Sequence, residues 1–264
     1  KRYHLNLSVE LANDEIWSKK GFEVATYQYE RPWFVQKINE PDAVKGQLSV
    51  TESPSTWSIT GENFSIEFDK KTGTILTWKS NGGIVAQNGP RVNLWRAPTS
   101  NDIGTEFNPD PRFSFHAKLW EKYGLNQLNI AKAKVTITKA ESGVTVRTRQ
   151  TLTGKKSKFD AVITHVVKPN GVVDINLKLT GSKSYNLPRV GFLVELPKEF
   201  SQVEWLGRGP QENYRDRSYA AHWGFYRNTI HNMVTPYVKP QENGNRYDVD
   251  RVSIITPNGE NGVE

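Results

Sequence analysis

Two glutamates thirty residues apart, Glu212 and Glu242, each sit in a Pro-Gln-Glu-Asn string. A retaining glycosidase needs two carboxyls roughly 5 Å apart, one protonated and one ionised, and two similar turns could bring these side chains together. The flanking residues point to a different use. Pro and Asn-Gly shape turns, and a carboxylate in such a turn accepts backbone N–H bonds and pairs with a nearby Arg217 or Arg246, locking the loop. Asn101 and Asp102 could hold a metal or a sugar hydroxyl, but an Asn-Asp pair more often bonds its own neighbouring backbone. Arg96, beside Trp95, suits stacking on an aromatic ring or a structural ion pair.

Other chemistries find less material. The five histidines (His4, His116, His165, His222, His231) show no metal spacing, and a zinc site needs three or four convergent ligands. His165, His222 or His231 with Glu212 could mimic the acid and base of an aldose epimerase, although burial in a structural role is the commoner fate of each. Trp95, Trp205 and Trp223 could stack on sugar rings, but tryptophans in a strand-rich chain mostly pack between sheets. With no cysteine in 264 residues, disulfides and thiolate chemistry are excluded. There is neither a Gly-rich phosphate loop nor a Gly-x-Ser-x-Gly elbow.

The elements that must position these residues are strands. Leu5, Leu7, Val9 and Leu11 alternate with polar residues, as do Phe64, Ile66 and Phe68, then Val173, Ile175, Leu177 and Leu179, then Val190, Phe192, Val194 and Leu196. Each set predicts a strand with one face buried. Turn residues divide them at 69–73, 141–143, 169–171 and 180–182, and the second and third of these turns join strands as hairpins. The one helical stretch is Phe115 to Tyr123, closed by Gly124. The fold class is therefore all-β and antiparallel. Hydrophobic residues make up 36% and charged residues 24%, a balance that supports a packed core and excludes disorder.

The net charge of +7 raises nucleic acid as a partner. The cations are scattered, however, and the densest group, Lys155, Lys156 and Lys158, reads as a solvated hairpin tip, so no nucleic-acid partner is expected. No apolar stretch reaches the length of a membrane span, and the N-terminus lacks an apolar signal core. Strands at 3–11 and 22–30 precede a Pro-containing connector, and a new run of strands begins near Leu48. This organisation predicts the tail of a separate sandwich domain over 1–35, a linker over 36–47 and a larger sheet assembly over 48–264. The turn at 257–262, with almost nothing after it, reads as a hairpin lacking its return strand, and hence as truncation.

Three segments are denser in special residues than strand packing requires: Leu94-Trp95-Arg96-Ala97-Pro98-Thr99-Ser100-Asn101-Asp102-Ile103-Gly104, Leu206-Gly207-Arg208-Gly209-Pro210-Gln211-Glu212-Asn213-Tyr214-Arg215-Asp216-Arg217, and Thr235-Pro236-Tyr237-Val238-Lys239-Pro240-Gln241-Glu242-Asn243-Gly244-Asn245-Arg246. These strings, in this order, resemble the C-terminal domain of glycoside hydrolase family 2 β-galactosidases of the bacterial LacZ type. Residues 5–30, with Trp17 and Gly21-Phe22-Glu23, look like the closing strands of the immunoglobulin-like domain before it. Asp250 departs from the pattern, which has a basic residue there.

The resemblance implies a large β-supersandwich of the galactose mutarotase type. It also implies that the acid/base and nucleophile glutamates, and the magnesium and sodium ligands, lie on a central barrel outside this chain, leaving it without cofactors or catalytic residues of its own. It places Gly104, Thr105, Glu106, Phe107, Asn108, Pro109 and Asp110 in a mobile loop at the active-site rim. Gly104 suits a hinge there, and Pro109 and Pro111 would stiffen the loop beyond it. Arg96, Pro98, Asn101, Asp102, Glu212, Tyr214, Asp216, Arg217, Glu242, Asn243 and Arg246 become motif residues of structural role. The implied partners are the rest of a β-galactosidase chain and, through it, a β-galactoside; unpaired sheet edges add self-association. The resemblance implies a bacterial parent enzyme, cytoplasmic or periplasmic, and assigns this chain no compartment. A carbohydrate-binding module and an aldose epimerase remain as alternatives.

Overall fold

The computed structural model describes residues 2–31, 46–104 and 115–264. Strands dominate, and every strand pair is antiparallel. One sheet contains β3 (Ser49–Glu52), β4 (Thr56–Thr60), β5 (Phe64–Asp69), β6 (Ile75–Ser80), β7 (Gly83–Asn93) and β12 (Gly191–Glu195), in the order β12-β7-β6-β5-β4-β3. A second contains β8 (Asn129–Ala140), β9 (Gly143–Thr153), β10 (Lys158–Val167) and β11 (Val173–Gly181), in the order β11-β10-β9-β8. The expected hairpins at 141–143 and 169–171 are the β8–β9 and β10–β11 turns, and the lysine group lies at the β9–β10 tip.

These two sheets face one another across the main core. Ile59, Ile66, Phe68 and Ile75 from the first meet Val144, Val146 and Val167 from the second, all buried. The strict alternation at Phe64, Ile66 and Phe68 is what lays one face of β5 into that core. His165 on β10 is buried among the same groups, its ring edge-on to Phe68 at 5.4 Å. Burial pushes its pKa down to about 4; the backbone of Val146, opposite it on β9, opposes the shift without completing a hydrogen bond.

A helix, α2 (His116–Tyr123), closes one end of this sandwich. Ala117 and Trp120, three residues apart and so on one helix face, are buried against Leu94, Leu152 and Phe159. Gly124 ends the helix at φ 73° with its N–H bonded to Glu121 O and Trp120 O, the left-handed cap that a Cβ disfavours. Both the helix and its stop match the sequence reading.

The third sheet holds β13 (Gln202–Gly209), β14 (His222–Thr229), β15 (Val249–Ile255) and β16 (Gly262–Val263), in the order β14-β13-β15-β16. Here the sequence reading is corrected: the turn at 257–262 does return, since Val263 and Gly262 pair with Ile254 and Ile255.

Two further corrections concern burial. β1 (Tyr3–Glu10) and β2 (Glu23–Arg31) form a two-stranded sheet by themselves. Leu5, Leu7 and Val9 on it are 39%, 48% and 59% exposed. Their alternation makes a strand, but no described sheet covers this apolar face; the opposite face meets β14 through His4, stacked on Trp223, and through Gln28. The β12 set is exposed likewise at Val190, Phe192 and Val194, because β12 is an edge strand outside the contact between the two sheets. Most of the expected linker, 36–45, lies outside the described residues.

Candidate functional site

The three motif segments, up to 150 residues apart in sequence, meet in one polar cluster. The first contributes α1 (Ser100–Ile103), a single turn that sequence periodicity did not reveal. It forms because Thr99 and Asp102 make a reciprocal capping box: Thr99 accepts from the Asp102 N–H, and the Asp102 carboxylate accepts from the Thr99 N–H at 2.7 Å and its hydroxyl at 2.8 Å. Asp102 therefore does bond its neighbouring backbone, as expected of an Asn-Asp pair. Arg96 meets the same carboxylate at 2.6 and 3.2 Å and lies 5.1 Å from the centre of the Trp120 ring. Both roles weighed for Arg96 are thus filled at once. Burial alone would raise the Asp102 carboxyl, but the bonds from Arg96 and Thr99 outweigh it and hold the group below its usual range.

The second and third segments lie on the loop after β13 and the loop before β15. Glu212 accepts from the Gly244 N–H, the Tyr237 hydroxyl and Arg217. Burial opposes its charge, yet these three donors win and keep the carboxyl below its ordinary range. Glu242 takes the Ala97 N–H at 3.2 Å and Arg189 at 2.8 Å, while its own N–H reaches Pro98 O at 3.3 Å. Gln241 accepts from the Ser100 N–H. The third segment is thereby tied to the first by two residues in a row.

Asn213 is the fully buried centre of this arrangement. Its Oδ1 accepts from Tyr247 N at 2.8 Å, its Nδ2 donates to Gln211 O at 3.0 Å, and its backbone exchanges bonds with Asn245 in both directions. Sequence reasoning passed over it, although its place after each repeated Pro-Gln-Glu could have flagged it. Arg189 was also missed, and its Leu187-Pro188-Arg189 setting carries no motif. Of the two arginines expected as partners, Arg217 reaches Glu212, whereas Arg246 pairs with no carboxylate among the described residues. It donates instead to Gly244 O and Pro210 O, both at 3.0 Å, with its cation 5.2 Å from the Trp205 ring centre. Asn243 folds back onto Gln241 O.

Between the three segments lies a cleft of about 250 Å³ lined by Arg96, Asn101, Asp102, Tyr214, Asp216, Arg217, Tyr237 and Glu242 among others. Arg217 bridges Tyr214 and Tyr237, standing 5.4 Å from the first ring and donating to the second hydroxyl at 3.0 Å. The Tyr214 hydroxyl is buried without a partner, and its pKa is pushed up to about 12 by burial and by the charges of Glu212 and Glu242. Gly104, at φ 73°, sits immediately after α1 and takes the left-handed backbone that suits a hinge position. Residues 105–110 of the expected rim loop lie outside the described residues.

The remaining sequence candidates are dispersed. His165 is inside the sandwich, on β10, and His222 lines a different cavity with His4 and Arg208. Neither is among the partners of Glu212. Trp205 is buried, Trp95 packs edge-on to Trp120, and Trp223 is covered by His4, stacked at 5.0 Å, and by Arg2 at 4.8 Å. Among the described residues no group of three or more His, Cys, Asp or Glu side chains is placed to hold a metal ion. Asp250 stands 3.6 Å from Arg2, a cation it shares with Glu30 and Asp248.

A family model described as "Beta galactosidase small chain" matches residues 60–260. Similar curated proteins include the "Beta-galactosidase" of Priestia megaterium, 30% identical over 258 residues that cover 97% of this chain and 24% of that protein. That of Psychromonas ingrahamii is 32% identical over 260 residues, 94% of this chain and 24% of that protein. That of Vibrio cholerae is 30% identical over 269 residues, 96% of this chain and 25% of that protein. The chain spans about a quarter of the length of the curated relatives it matches.

Proposed function

The chain belongs to the beta galactosidase small chain family, and from that membership we propose that it is the part of a β-galactosidase that supports the active site without supplying the reacting carboxylates. The reaction is retaining hydrolysis of terminal β-galactosides by an enzyme of glycoside hydrolase family 2. Its nucleophile, its acid/base and its magnesium and sodium sites belong to polypeptide outside these residues. This chain holds the rim, through α1 and the segment that leaves it at Gly104.

One observation carries the reading: the part-buried carboxylates where the three segments meet, Asp102 and Glu212, are already committed to donors. A general acid needs a carboxyl whose pKa is raised toward the working pH. Asp102 and Glu212 are shifted the opposite way by the cations and N–H groups bound to them. Held ionised and fixed, such groups serve as anchors. Arg96 then ties α1 to α2, through Asp102 on the first and Trp120 on the second.

Reconstitution tests this. Co-expressed with the remaining portion of its parent enzyme, the chain is expected to restore turnover of an aryl β-galactoside, whereas neither part turns over alone. Arg96→Ala in the assembled enzyme lowers kcat on the order of tenfold, since slight misplacement of a rim contact costs rate. An unchanged kcat in that variant would contradict the anchoring role.

A further inference from the structure

We propose that Asn213 is a positioning residue: from the loop after β13 it sets the placement of α1, with which it shares no hydrogen bond among the described residues. That α1 serves an active-site rim rests on the reading above; the placement itself does not. Asn213 is fully buried, and its amide is used in one orientation only. Oδ1 accepts from Tyr247 N at 2.8 Å, and Nδ2 donates to Gln211 O at 3.0 Å. Among side chains of this size only an amide sets a donor and an acceptor on one planar group in that way. An ionised Asp would turn its second oxygen against the Gln211 carbonyl, and Ala would leave both backbone groups unpaired.

The route runs through the third motif segment. The Asn213 backbone exchanges bonds with Asn245 at 2.9 and 2.8 Å, and Glu212 beside it accepts from the Gly244 N–H. The two loops are thereby zipped together. Gln241 and Glu242, just upstream of Gly244, then carry the bonds that reach the first segment. The Ser100 N–H donates to Gln241 Oε1 at 3.1 Å, the Ala97 N–H to Glu242 at 3.2 Å, and the Glu242 N–H to Pro98 O at 3.3 Å. A single helical turn holds little by itself, so the placement of α1 depends on what grips it: Trp120 through Arg96 on one side, Gln241 and Glu242 on the other. The repeated string supplies an internal contrast. Asn243 makes the same bond to the glutamine two residues back, Nδ2 to Gln241 O at 3.3 Å, but its Oδ1 accepts none among the described residues. Only Asn213 reaches across to the other loop.

Amide hydrogen exchange of the 264-residue chain tests this without any turnover, so it stands or falls apart from the supporting role. In Asn213→Ala the protection factors at Ala97 and Ser100 are expected to fall on the order of tenfold, about one hydrogen bond's worth, while Ile66 and Val146 in the main sandwich keep theirs. Asn213→Asp supplies the conservative rescue. Burial raises its carboxyl, and when neutral its O–H donates to Gln211 O as the amide did. Protection at Ala97 and Ser100 therefore matches wild type near about pH 5 and falls as pH rises through that pKa. Gln241→Ala with Glu242→Ala cuts the route. The Ile103 and Gly104 N–H groups, bonded within the first segment to Thr99 O and Ser100 O, then lose as much protection as in Asn213→Ala, with no further loss when all three changes are combined. Three results would overturn the proposal: unchanged protection of Ala97 and Ser100 in Asn213→Ala, protection in Asn213→Asp that ignores pH, or losses at Ile103 and Gly104 that add. The second decides the matter even if Asn213→Ala fails to fold.

Discussion

The face-to-face sandwich of β3–β11 and the β1–β2 hairpin are written in the same code and meet opposite fates. Both alternate apolar and polar residues. In the sandwich, Phe64, Ile66 and Phe68 are buried against the opposing sheet. In the hairpin, Leu5, Leu7 and Val9 face outward, uncovered by any described element. The hairpin is held by polar contacts instead. Gln28 exchanges two hydrogen bonds with the Trp223 backbone, and Arg2 joins Glu30 on β2 to Asp248 before β15. A period of two specifies a strand; burial requires a second sheet, which the pattern cannot supply.

The contrast can be broken most sharply by truncation. Phe68→Ala, in the fully buried face of β5, is expected to cost ~3–5 kcal/mol of unfolding free energy, read from urea melts. Leu7→Ala on the hairpin costs less than ~0.5 kcal/mol. Equal costs would mean that the hairpin is covered in solution.

His165, buried inside the sandwich, gives that region a pH signature of its own. Its folded pKa is about 4 against an ordinary 6.5, so the unfolded chain binds the proton first. Stability is full above about 6.5 and falls as pH drops through the window to about 4, by roughly 3 kcal/mol at the end. Chemical denaturation at several pH values should show that slope, and His165→Gln should flatten it. A slope unaltered by the variant refutes the assignment.

Asp102→Ala has an intermediate effect, because it removes the capping box and strands Arg96 among Trp120 and its neighbours. A loss of ~2–3 kcal/mol is expected from a calorimetric melt, with Asp102→Asn recovering part of it. Arg2→Ala is the mildest change. Exposed and half-exposed ion pairs contribute ~0–1 kcal/mol, so the melting temperature hardly moves, while limited proteolysis after β2 should become faster. Unchanged proteolysis would show that Gln28 and the His4–Trp223 stack suffice to hold the hairpin.

Much of the fold was legible because its signals are local. Alternation, the hairpin turns at 141–143 and 169–171 and the helix ending at Gly124 each reside within a dozen residues. The candidate site was legible in its parts but not in its joining. The anchoring of Glu212 by Arg217, the local capping by Asp102 and an ion pair for Arg96 follow from residue type and neighbours, but not that Arg96 and Asp102 are each other's partners. The partner of Glu242, Arg189, arrives from the β11–β12 connection across 53 residues, and nothing local announces it. Asn213, buried at the centre, looks in sequence like any turn asparagine. The exposed faces of β1 and β12 were misread because exposure is decided by which sheets stack, a relation absent from either strand.

The central claim is that the donor-bound carboxylates, Asp102, Glu212 and Glu242, anchor and do not react. Incubation of the purified chain with an aryl β-galactoside tests it most directly, beside a Glu212→Gln Glu242→Gln variant. Release of the chromophore at the rate of buffer, for both proteins, is the expected result. Turnover above buffer that survives further purification and vanishes in the double variant would contradict it.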